Sequence, residues 1–388
     1  MQIKDRAVIK IDSVAFGGEG VGRIDNLVTF VPFSAPGDEL EVEINQRKKR
    51  FLRGRIVRII KPSPLRVEPL CRYYGNCGGC CYQHIRYDSQ LVFKKKQVED
   101  AFRKISKIAN PPVADVIASP ENYHYRGKAQ YHAEENLREW KIGFLDVSGG
   151  RLVDIEHCEI MEETINRQMR ILRESKKPLY RKSELAVWSD CPVGASGDEK
   201  TIIRMVQGKS FLVPCDGFFQ ANLSLTDAMV DAVCRLAALD EISTVVDAYC
   251  GSGLFSVFLS SLARVTGIEI SEQAVRYARI NAGNHGTQNV DFIQGDVESV
   301  LCKNFLPPGE KIDLFVLDPP RIGCSQIVLK SMVDLHPRKI IYISCNPATQ
   351  ARDVKYLNEC GYHLQSLQPL DMFPQTQHIE VIGYLELR

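Results

Sequence analysis

Residues 244–263 read TVVDAYCGSGLFSVFLSSLA, in which a β-branched run, a glycine-rich turn and an apolar helical pattern follow one another directly. Gly251 and Gly253 allow a tight turn and a close approach of the backbone to a ligand. The turn departs from G-x-G-x-x-G and holds no lysine for phosphates, so a dinucleotide or a nucleoside triphosphate fits it poorly. The D-x-x-C-G-x-G pattern that begins at Asp247 therefore favours a cofactor without phosphate groups.

Further apolar runs follow this turn at regular intervals, with helical patterns between them. They read RVTGIEI, VDFIQGD, IDLFVLD and KIIYISCN, and two late runs, HLQSLQPLDMF and IEVIGYLEL, end the chain. Strand–helix alternation of this kind predicts an α/β domain over residues 216–388, with a doubly wound, Rossmann-like sheet. Ligands of such sheets bind beyond the carboxyl ends of the strands.

Acidic residues lie at the ends of three successive predicted strands. Glu269 can accept hydrogen bonds from both ribose hydroxyls of a nucleoside, as in other Rossmann-like folds. Asp296 can reach an adenine edge, although in the sequence GDVES it also fits a helix N-cap. Together with Asp247, these residues predict a nucleoside-containing cofactor.

Two motifs whose residues could take part in catalysis follow later strands. Asp318-Pro319-Pro320 resembles a turn shared by many methyltransferases, including those that act on amino groups, where an aromatic residue usually comes next; here Arg321 does. The second motif is Ser344-Cys345-Asn346-Pro347, and it places a thiol at a strand end.

Cys345 fits covalent catalysis on a pyrimidine. Carbon 5 of uracil becomes nucleophilic only after a thiolate adds to carbon 6, and a base must later remove the carbon 5 proton. Glu380, in His378-Ile379-Glu380, is the candidate base. The alternatives are a buried packing role for Cys345 in a methyltransferase for exocyclic amines, and a non-catalytic nucleic-acid-binding protein with a methyltransferase fold.

The chain has 13 cysteines, and four of them form a spaced set: Cys71-x5-Cys77-x2-Cys80, with Cys158 much later. Four thiols suit zinc or an iron–sulfur cluster, and the single C-x2-C pair favours [4Fe–4S]. Cys81 adjoins Cys80 and should point away from it. In a chain without an apolar leader, disulfides are less expected than metal binding or catalysis, and most other cysteines should pack in the core.

The first 62 residues read as a small β module, with short alternating runs between Gly, Pro and Asp turns, which predicts an OB-like five-stranded barrel. Residues 17–23 read GGEGVGR, a glycine-rich turn. Nine lysines and arginines and no acid lie between residues 46 and 66, a charge pattern that attracts phosphates or forms a solvated face. Residues 63–215 should form a β-rich central domain with the cysteine set.

Taken together, these motifs resemble the RNA uracil-C5-methyltransferase family, in its type with a TRAM domain and an iron–sulfur cluster. AFGGEGVGR and VPFSAPGDELEV resemble TRAM, CRYYGNCGGCCYQH resembles the cluster-binding segment, and FFQAN, DAYCGSGLF, DPPR, SCNPAT and HIE occur in the family's order.

The resemblance implies specific roles for residues of this chain. Cys345 would be the nucleophile and Glu380 the proton-abstracting base. The cofactor would be S-adenosylmethionine, held near Gln220, Asp247, Gly251, Gly253, Glu269, Asp296 and Asp318, with Asp318 also contacting the pyrimidine. A [4Fe–4S] cluster would bind Cys71, Cys77, Cys80 and Cys158.

The resemblance also bears on partners. The substrate would be RNA, with ribosomal RNA favoured over transfer RNA because bacterial-type tRNA enzymes generally lack both TRAM and cluster; archaeal-type tRNA enzymes can carry both. The base would be flipped out of its stack. The charged N-terminus and the lack of long apolar runs predict a cytoplasmic protein without membrane contact, and we expect a monomer.

Overall fold

The computed structural model describes residues 2–136, 139–175, 183–191, 201–215, 217–303, 305–306 and 309–388. These residues form a closed barrel, a β-rich centre and a seven-stranded sheet flanked by helices. Each described helix is too short or too polar to cross a bilayer. Asp216, where the sequence places the start of the last domain, lies outside the described residues.

The N-terminal barrel has the strand order β1-β2-β3-β5-β4. Its strands are β1 (Arg6–Val14), β2 (Gly20–Ile24), β3 (Leu27–Val31), β4 (Glu39–Arg47) and β5 (Phe51–Lys61). Side chains from alternate positions fill the interior, among them Ile9, Ile11, Val42, Ile44 and Leu52. Closure pairs every strand on both sides, and the predicted five-stranded barrel is confirmed.

The glycine-rich turn predicted at residues 17–23 is only partly correct, because β2 begins at Gly20 inside it. A Cβ atom on Gly22 would lie 2.2 Å from the carbonyl oxygen of Lys10 on the neighbouring strand. Glycine is therefore required at position 22 by the close approach of two strands. Because β2 is rich in glycine and lacks an apolar pattern, the sequence does not reveal it as a strand.

The centre contains a four-stranded sheet and a hairpin. The sheet, in the order β8-β7-β6-β9, contains β6 (Lys128–Asn136), β7 (Glu139–Leu145), β8 (Leu152–Asp154) and β9 (Ser183–Trp188), and the hairpin joins β10 (Thr201–Val206) to β11 (Lys209–Pro214). Helix α2 (Glu163–Ser175) packs against this sheet. The cysteine-rich loop joins the same sheet, since Gly78 N–H donates to the Leu145 carbonyl at 2.9 Å.

A disulfide links Cys191 to Cys215. The sequence favoured metal binding, catalysis or core packing over disulfides, and this pair departs from that expectation. Cys191 follows β9 and Cys215 follows β11, and folding brings their Cα atoms to 6.1 Å, a separation that a disulfide spans. The sequence separation of 24 residues gave no sign of this proximity.

The C-terminal sheet has the order β14-β13-β12-β15-β16-β18-β17. Its strands are β12 (Thr244–Ala248), β13 (Arg264–Glu269), β14 (Val290–Gln294), β15 (Leu314–Leu317), β16 (Lys339–Ser344), β17 (Tyr362–Leu370) and β18 (Glu380–Leu387). The flanking helices are α3 (Leu223–Ala237), α4 (Leu254–Leu259), α5 (Glu272–Asn284), α6 (Val297–Leu301), α7 (Gln326–Asp334) and α8 (Pro347–Glu359). Every residue of β12, β15 and β16 is buried, as expected for strands covered on both faces, and the predicted Rossmann-like sheet is confirmed.

Helix α1 (Tyr87–Ala101) comes before the central sheet in sequence but packs on the C-terminal domain. Val98 and the following Phe102 join the apolar core beneath α7 and α8. Val113 and Ile117 then form bridges to Leu367 and Leu370 of β17. The segment from α1 to Ile117 therefore packs against the C-terminal sheet and its helices.

Candidate active site

The glycine turn after β12 is built as a ligand-facing loop. Gly251 and Gly253 have φ angles of +54° and +82°, a region that favours glycine. A Cβ atom on Gly253 would meet Ala278 at 3.1 Å, whereas one on Gly251 would meet open space. Gly253 therefore serves packing, and Gly251 leaves room for a ligand. Tyr249, with φ of +65°, is a strained residue in the same turn that sequence reading did not single out.

Two carboxylates surround this turn. Asp247 is fully buried, and its Oδ2 accepts a hydrogen bond of 2.5 Å from Ser256, while its Oδ1 has no partner among the described residues. Burial raises the pKa of Asp247 to about 7. Glu269 Oε2 accepts from Gly251 N–H at 3.1 Å, and its Oε1 accepts from Ser271 N–H at 2.9 Å. The buried carboxyl oxygen of Asp247 is left for a ligand to satisfy, and the open space lies at Gly251 in the same turn.

Asp296 caps helix α6, since its Oδ2 accepts from Ser299 N–H at 3.1 Å. It also lines a cleft of about 650 Å³ with Tyr249 and Pro320. Beside Glu269, Ile270 leaves 61% of its surface exposed at the end of β13. Sequence reading did not single out Ile270, whose exposed side chain directly follows Glu269.

Cys345 and Glu380 meet through an antiparallel pairing. Ser344 of β16 pairs with Val381 of β18, so the same register continued by one residue sets Cys345 opposite Glu380. Burial raises the pKa of the Cys345 thiol to about 11, with Glu380 adding to the rise and Arg321 opposing it. The thiol is therefore protonated until the local charge changes.

Glu380 and Asp318 form a carboxyl pair at this edge. Burial and the Asp318 carboxylate raise the pKa of Glu380 well above its usual range, and Arg321 opposes the rise. Burial, with Asp247 as a second cause, raises the pKa of Asp318 to about 7. A carboxylate of raised pKa is a stronger proton acceptor, which is the property that a general base needs near neutral pH.

Gln220 lies in the segment Phe218-Phe219-Gln220-Ala221-Asn222, directly before α3. Asn222 Nδ2 donates to the Met372 carbonyl at 3.3 Å, and Gly127 N–H donates to the Ala221 carbonyl at 2.7 Å. The first bond joins the segment to the chain that leads to Glu380, and the second joins it to the residue before β6. Gln220 itself is half-buried.

The four expected cluster ligands line one cavity of about 170 Å³, namely Cys71, Cys77, Cys80 and Cys158. Burial raises the pKa of the Cys80 and Cys158 thiols, and the neighbouring thiols of the set add to this rise, so the sulfurs face one another. Cys81 turns the other way, toward Gly18 of the barrel.

Sulfur spacing bears on the choice between zinc and a cluster. Among the described residues, the one group of three or more candidate ligand atoms within 4.8 Å of one another is His124, His157 and Glu159, which contains no cysteine. Sulfurs around tetrahedral zinc lie roughly 3.8 Å apart, given Zn–S bonds of about 2.3 Å. No three of the four cysteine sulfurs lie within 4.8 Å of one another, so in this arrangement they do not close a tetrahedral zinc site.

Family models match both ends of the chain. A TRAM domain model matches residues 7–57 and a methyltransferase domain model matches residues 239–378. A protein of Halalkalibacterium halodurans named as an uncharacterized RNA methyltransferase is 32% identical, over 99% of this chain and 97% of that protein. The tRNA (uracil(54)-C(5))-methyltransferase of Schizosaccharomyces pombe is 35% identical, over 96% of this chain and 77% of that protein. The chain belongs to the RNA (uracil-C5)-methyltransferase family.

A solved member of this RNA methyltransferase family shares the fold. The Pyrococcus abyssi tRNA (uracil-54, C5)-methyltransferase, in complex with S-adenosyl-L-homocysteine, superposes with a TM-score of 0.72 and 24% identity. The match covers 98% of this chain and 100% of that one. The three-part architecture described above is thus that of a known RNA methyltransferase.

The basic cluster of residues 46–66 is partly a structural feature of the barrel. Four of its arginines form ion pairs with barrel acids: Arg53–Glu19, Arg55–Glu43, Arg58–Glu41 and Arg66–Asp38. Lys48, Lys49 and Arg50 are exposed at the β4–β5 turn. The sequence offered phosphate attraction or a solvated face, and it did not indicate these four ion pairs. Phosphate attraction remains an expectation for the turn.

Proposed function

We propose that this family member methylates carbon 5 of a uracil in RNA, with S-adenosylmethionine as methyl donor and Cys345 as nucleophile. The observation that carries the proposal is the placement of Cys345 opposite Glu380 at the carboxyl end of the sheet, beside the Asp247 turn. If Cys345 only filled space in the core, it would not need Glu380, a buried acid of raised pKa, as its cross-strand neighbour.

The residues divide the reaction between them. The Cys345 sulfur bonds to carbon 6, which moves the ring's π electrons to carbon 5. S-Adenosylmethionine, when bound, supplies the methyl group, and Asp247, Glu269 and Asp296 would hold it. Glu380 then takes the carbon 5 proton, the carbon–sulfur bond breaks, and the double bond re-forms. Arg321 lowers the pKa of Cys345 and so favours the thiolate, which attacks carbon 6 in the first step and leaves it in the last.

The cysteine cavity would hold a [4Fe–4S] cluster on Cys71, Cys77, Cys80 and Cys158. Such a group would fasten the loop of residues 71–80 to the central sheet, and methyl transfer requires no electron from it. The convergence of the four thiols and their wide spacing support this assignment.

The substrate is RNA of a class that remains to be assigned by assay. The preference for ribosomal RNA expected from the sequence lacks support, because the Schizosaccharomyces pombe relative and the solved Pyrococcus abyssi enzyme are both named for uracil 54 of tRNA. We therefore place a tRNA transcript first and a 23S ribosomal RNA transcript second.

The test compares Cys345→Ala with the wild type on both transcripts. We expect Cys345→Ala to abolish methyl transfer to RNA while S-adenosylmethionine still binds, as measured by calorimetry. Cys360→Ala, which removes another half-buried thiol at the end of α8, is the matched control and should retain transfer. Full activity of Cys345→Ala would overturn the covalent mechanism.

Glu380→Gln supplies the second arm. Because glutamine cannot accept the carbon 5 proton, the methylated RNA should stay bonded to Cys345 and migrate slowly in a denaturing gel. Rapid turnover without such a species would remove Glu380 from the role of base.

A further inference from the structure

The segment between β17 and β18 delivers Glu380 to the site, and it contains no regular structure. Several of its polar contacts come from outside the C-terminal sheet. The N–H groups of Cys81 and Tyr82 both donate to the Gln375 carbonyl at 3.0 Å, and the Tyr125 hydroxyl donates to the Pro374 carbonyl at 2.9 Å. The conformation of the base-carrying segment is therefore set by its neighbours.

Lys94 of α1 makes polar contacts at both ends of this segment. Its ammonium group donates to Asp371 Oδ1 at 2.5 Å, to the Phe373 carbonyl at 3.1 Å and to the His378 carbonyl at 2.9 Å. The side chains of Lys94 and Asp371 are both completely buried. One cation thus joins the start and the end of the segment, two residues before Glu380.

A buried ion pair is a costly way to gain stability, because well-packed apolar residues often replace one without loss. Here the ammonium also satisfies two loop carbonyls that an apolar side chain could not. Cys345 has separate supports, since Asn346 Nδ2 and Thr349 Oγ1 both donate to the Arg321 carbonyl at 3.2 Å. The nucleophile and the base are therefore positioned by different contacts.

We propose that Lys94 is a positioning residue for Glu380, which fixes the segment of residues 371–378 so that the base meets the carbon 5 proton. This inference rests on the proposed function. Loss of Lys94 should slow proton removal and release of the RNA, while attack by Cys345 and methyl transfer continue.

The experiment uses the full-length chain and the transcript that the wild type methylates, made with uridine or with 5-fluorouridine. With fluorine at carbon 5 there is no proton to remove, so a Cys345 adduct forms without the base and persists. Lys94→Met should form this fluorinated adduct at the wild-type rate. On uridine RNA its turnover should fall by roughly ten- to a hundredfold, as a small displacement of a catalytic group predicts, and the adduct should accumulate.

Two further variants separate positioning from charge neutralisation. Lys95→Met, which removes the neighbouring lysine that pairs with exposed Asp115, should behave as the wild type. Lys94→Met combined with Asp371→Asn removes the unpaired buried acid and should still accumulate adduct on uridine RNA.

The double variant and the fluorinated RNA test the role of Lys94 independently. Wild-type turnover in the double variant would mean that Lys94 only neutralises Asp371, and this would overturn the proposal. Loss of the fluorinated adduct in Lys94→Met or in the double variant would also overturn it, because attack would then depend on Lys94 too. If the wild type itself forms no fluorinated adduct, the proposed function fails instead.

Discussion

Arg321 is the cation through which the site adjusts both its nucleophile and its base, and its removal gives a quantitative test. The Arg321 side chain is exposed, and its guanidinium opposes the raised pKa values of both Cys345 and Glu380. Its backbone is held beside Cys345 by the side chain of Asn346. Arg321→Met keeps much of the side-chain length and removes the charge.

The expected size of the effect follows from the exposure of this charge. A neighbouring opposite charge shifts a pKa by about 1–3 units, and solvent screening places exposed Arg321 at the low end, about one unit. The thiolate fraction of Cys345 should then fall about tenfold at neutral pH. A more basic thiolate is more nucleophilic and recovers roughly half of this on a logarithmic scale, so methyl transfer should slow by about three- to tenfold.

The assay is single-turnover methyl transfer to RNA between about pH 6.5 and 9.5. The rising limb of the profile for Arg321→Met should move to higher pH by about one unit. Lys330→Met, which removes an exposed cation from α7, is the control and should leave the profile in place. An unshifted profile for Arg321→Met, or an equal shift in the control, would refute the electrostatic role assigned to Arg321.

Three further results are expected. S-Adenosylmethionine should bind about tenfold more tightly at pH 8 than at pH 6, because Asp247, whose pKa burial raises to about 7, loses its charge in acid. Calorimetry should show a smaller change for S-adenosylhomocysteine, which lacks the sulfonium charge, and equal changes would contradict this reading. Cys80→Ala should lose the broad absorbance near about 400 nm of anaerobically purified protein, whereas Cys81→Ala should retain it; colourless wild-type protein with one zinc would exclude the cluster. Asp38→Asn should lower the free energy of unfolding by roughly 3 kcal/mol at pH 7, as breaking a buried pair with Arg66 predicts. Burial raises the pKa of Asp38, but hydrogen bonds from Arg66 and the backbone outweigh burial and lower this pKa overall. The ionised carboxylate therefore stabilises the fold above the pKa of the unfolded state, and this stabilisation is lost as pH falls. Urea unfolding should show the stability difference between wild type and variant narrowing toward about pH 3.

The C-terminal strands were predictable because β12, β15 and β16 are buried on both faces and read as unbroken apolar runs. The motif order also located Cys345 and Glu380 at strand ends. Their joint role was predicted from the motifs, but the strand pairing that brings them together was not, since it depends on the insertion of β18, antiparallel, between β16 and β17. Nothing in the sequence specifies that strand order.

Helix α1 shows a different limit of sequence reading. Its sequence looks like a solvated basic helix, yet its buried residues include Gln90, Lys94 and Gln97. These side chains bind loop carbonyls and other polar groups rather than apolar surface; Gln90 Nε2, for example, donates to the Ile85 carbonyl at 2.8 Å. A pattern based on hydrophobicity assigns such residues to solvent, and only the tertiary contacts reveal their role.

The central claim is that the Cys345 sulfur bonds to carbon 6 of a uracil. Its most direct test is mass spectrometry of the wild-type protein after reaction with 5-fluorouridine RNA and S-adenosylmethionine. The account predicts a nuclease-resistant nucleotide adduct that carries one added methyl group on the peptide containing Cys345. Methylated RNA without any adduct, or an adduct on another of the 13 cysteines, would contradict it.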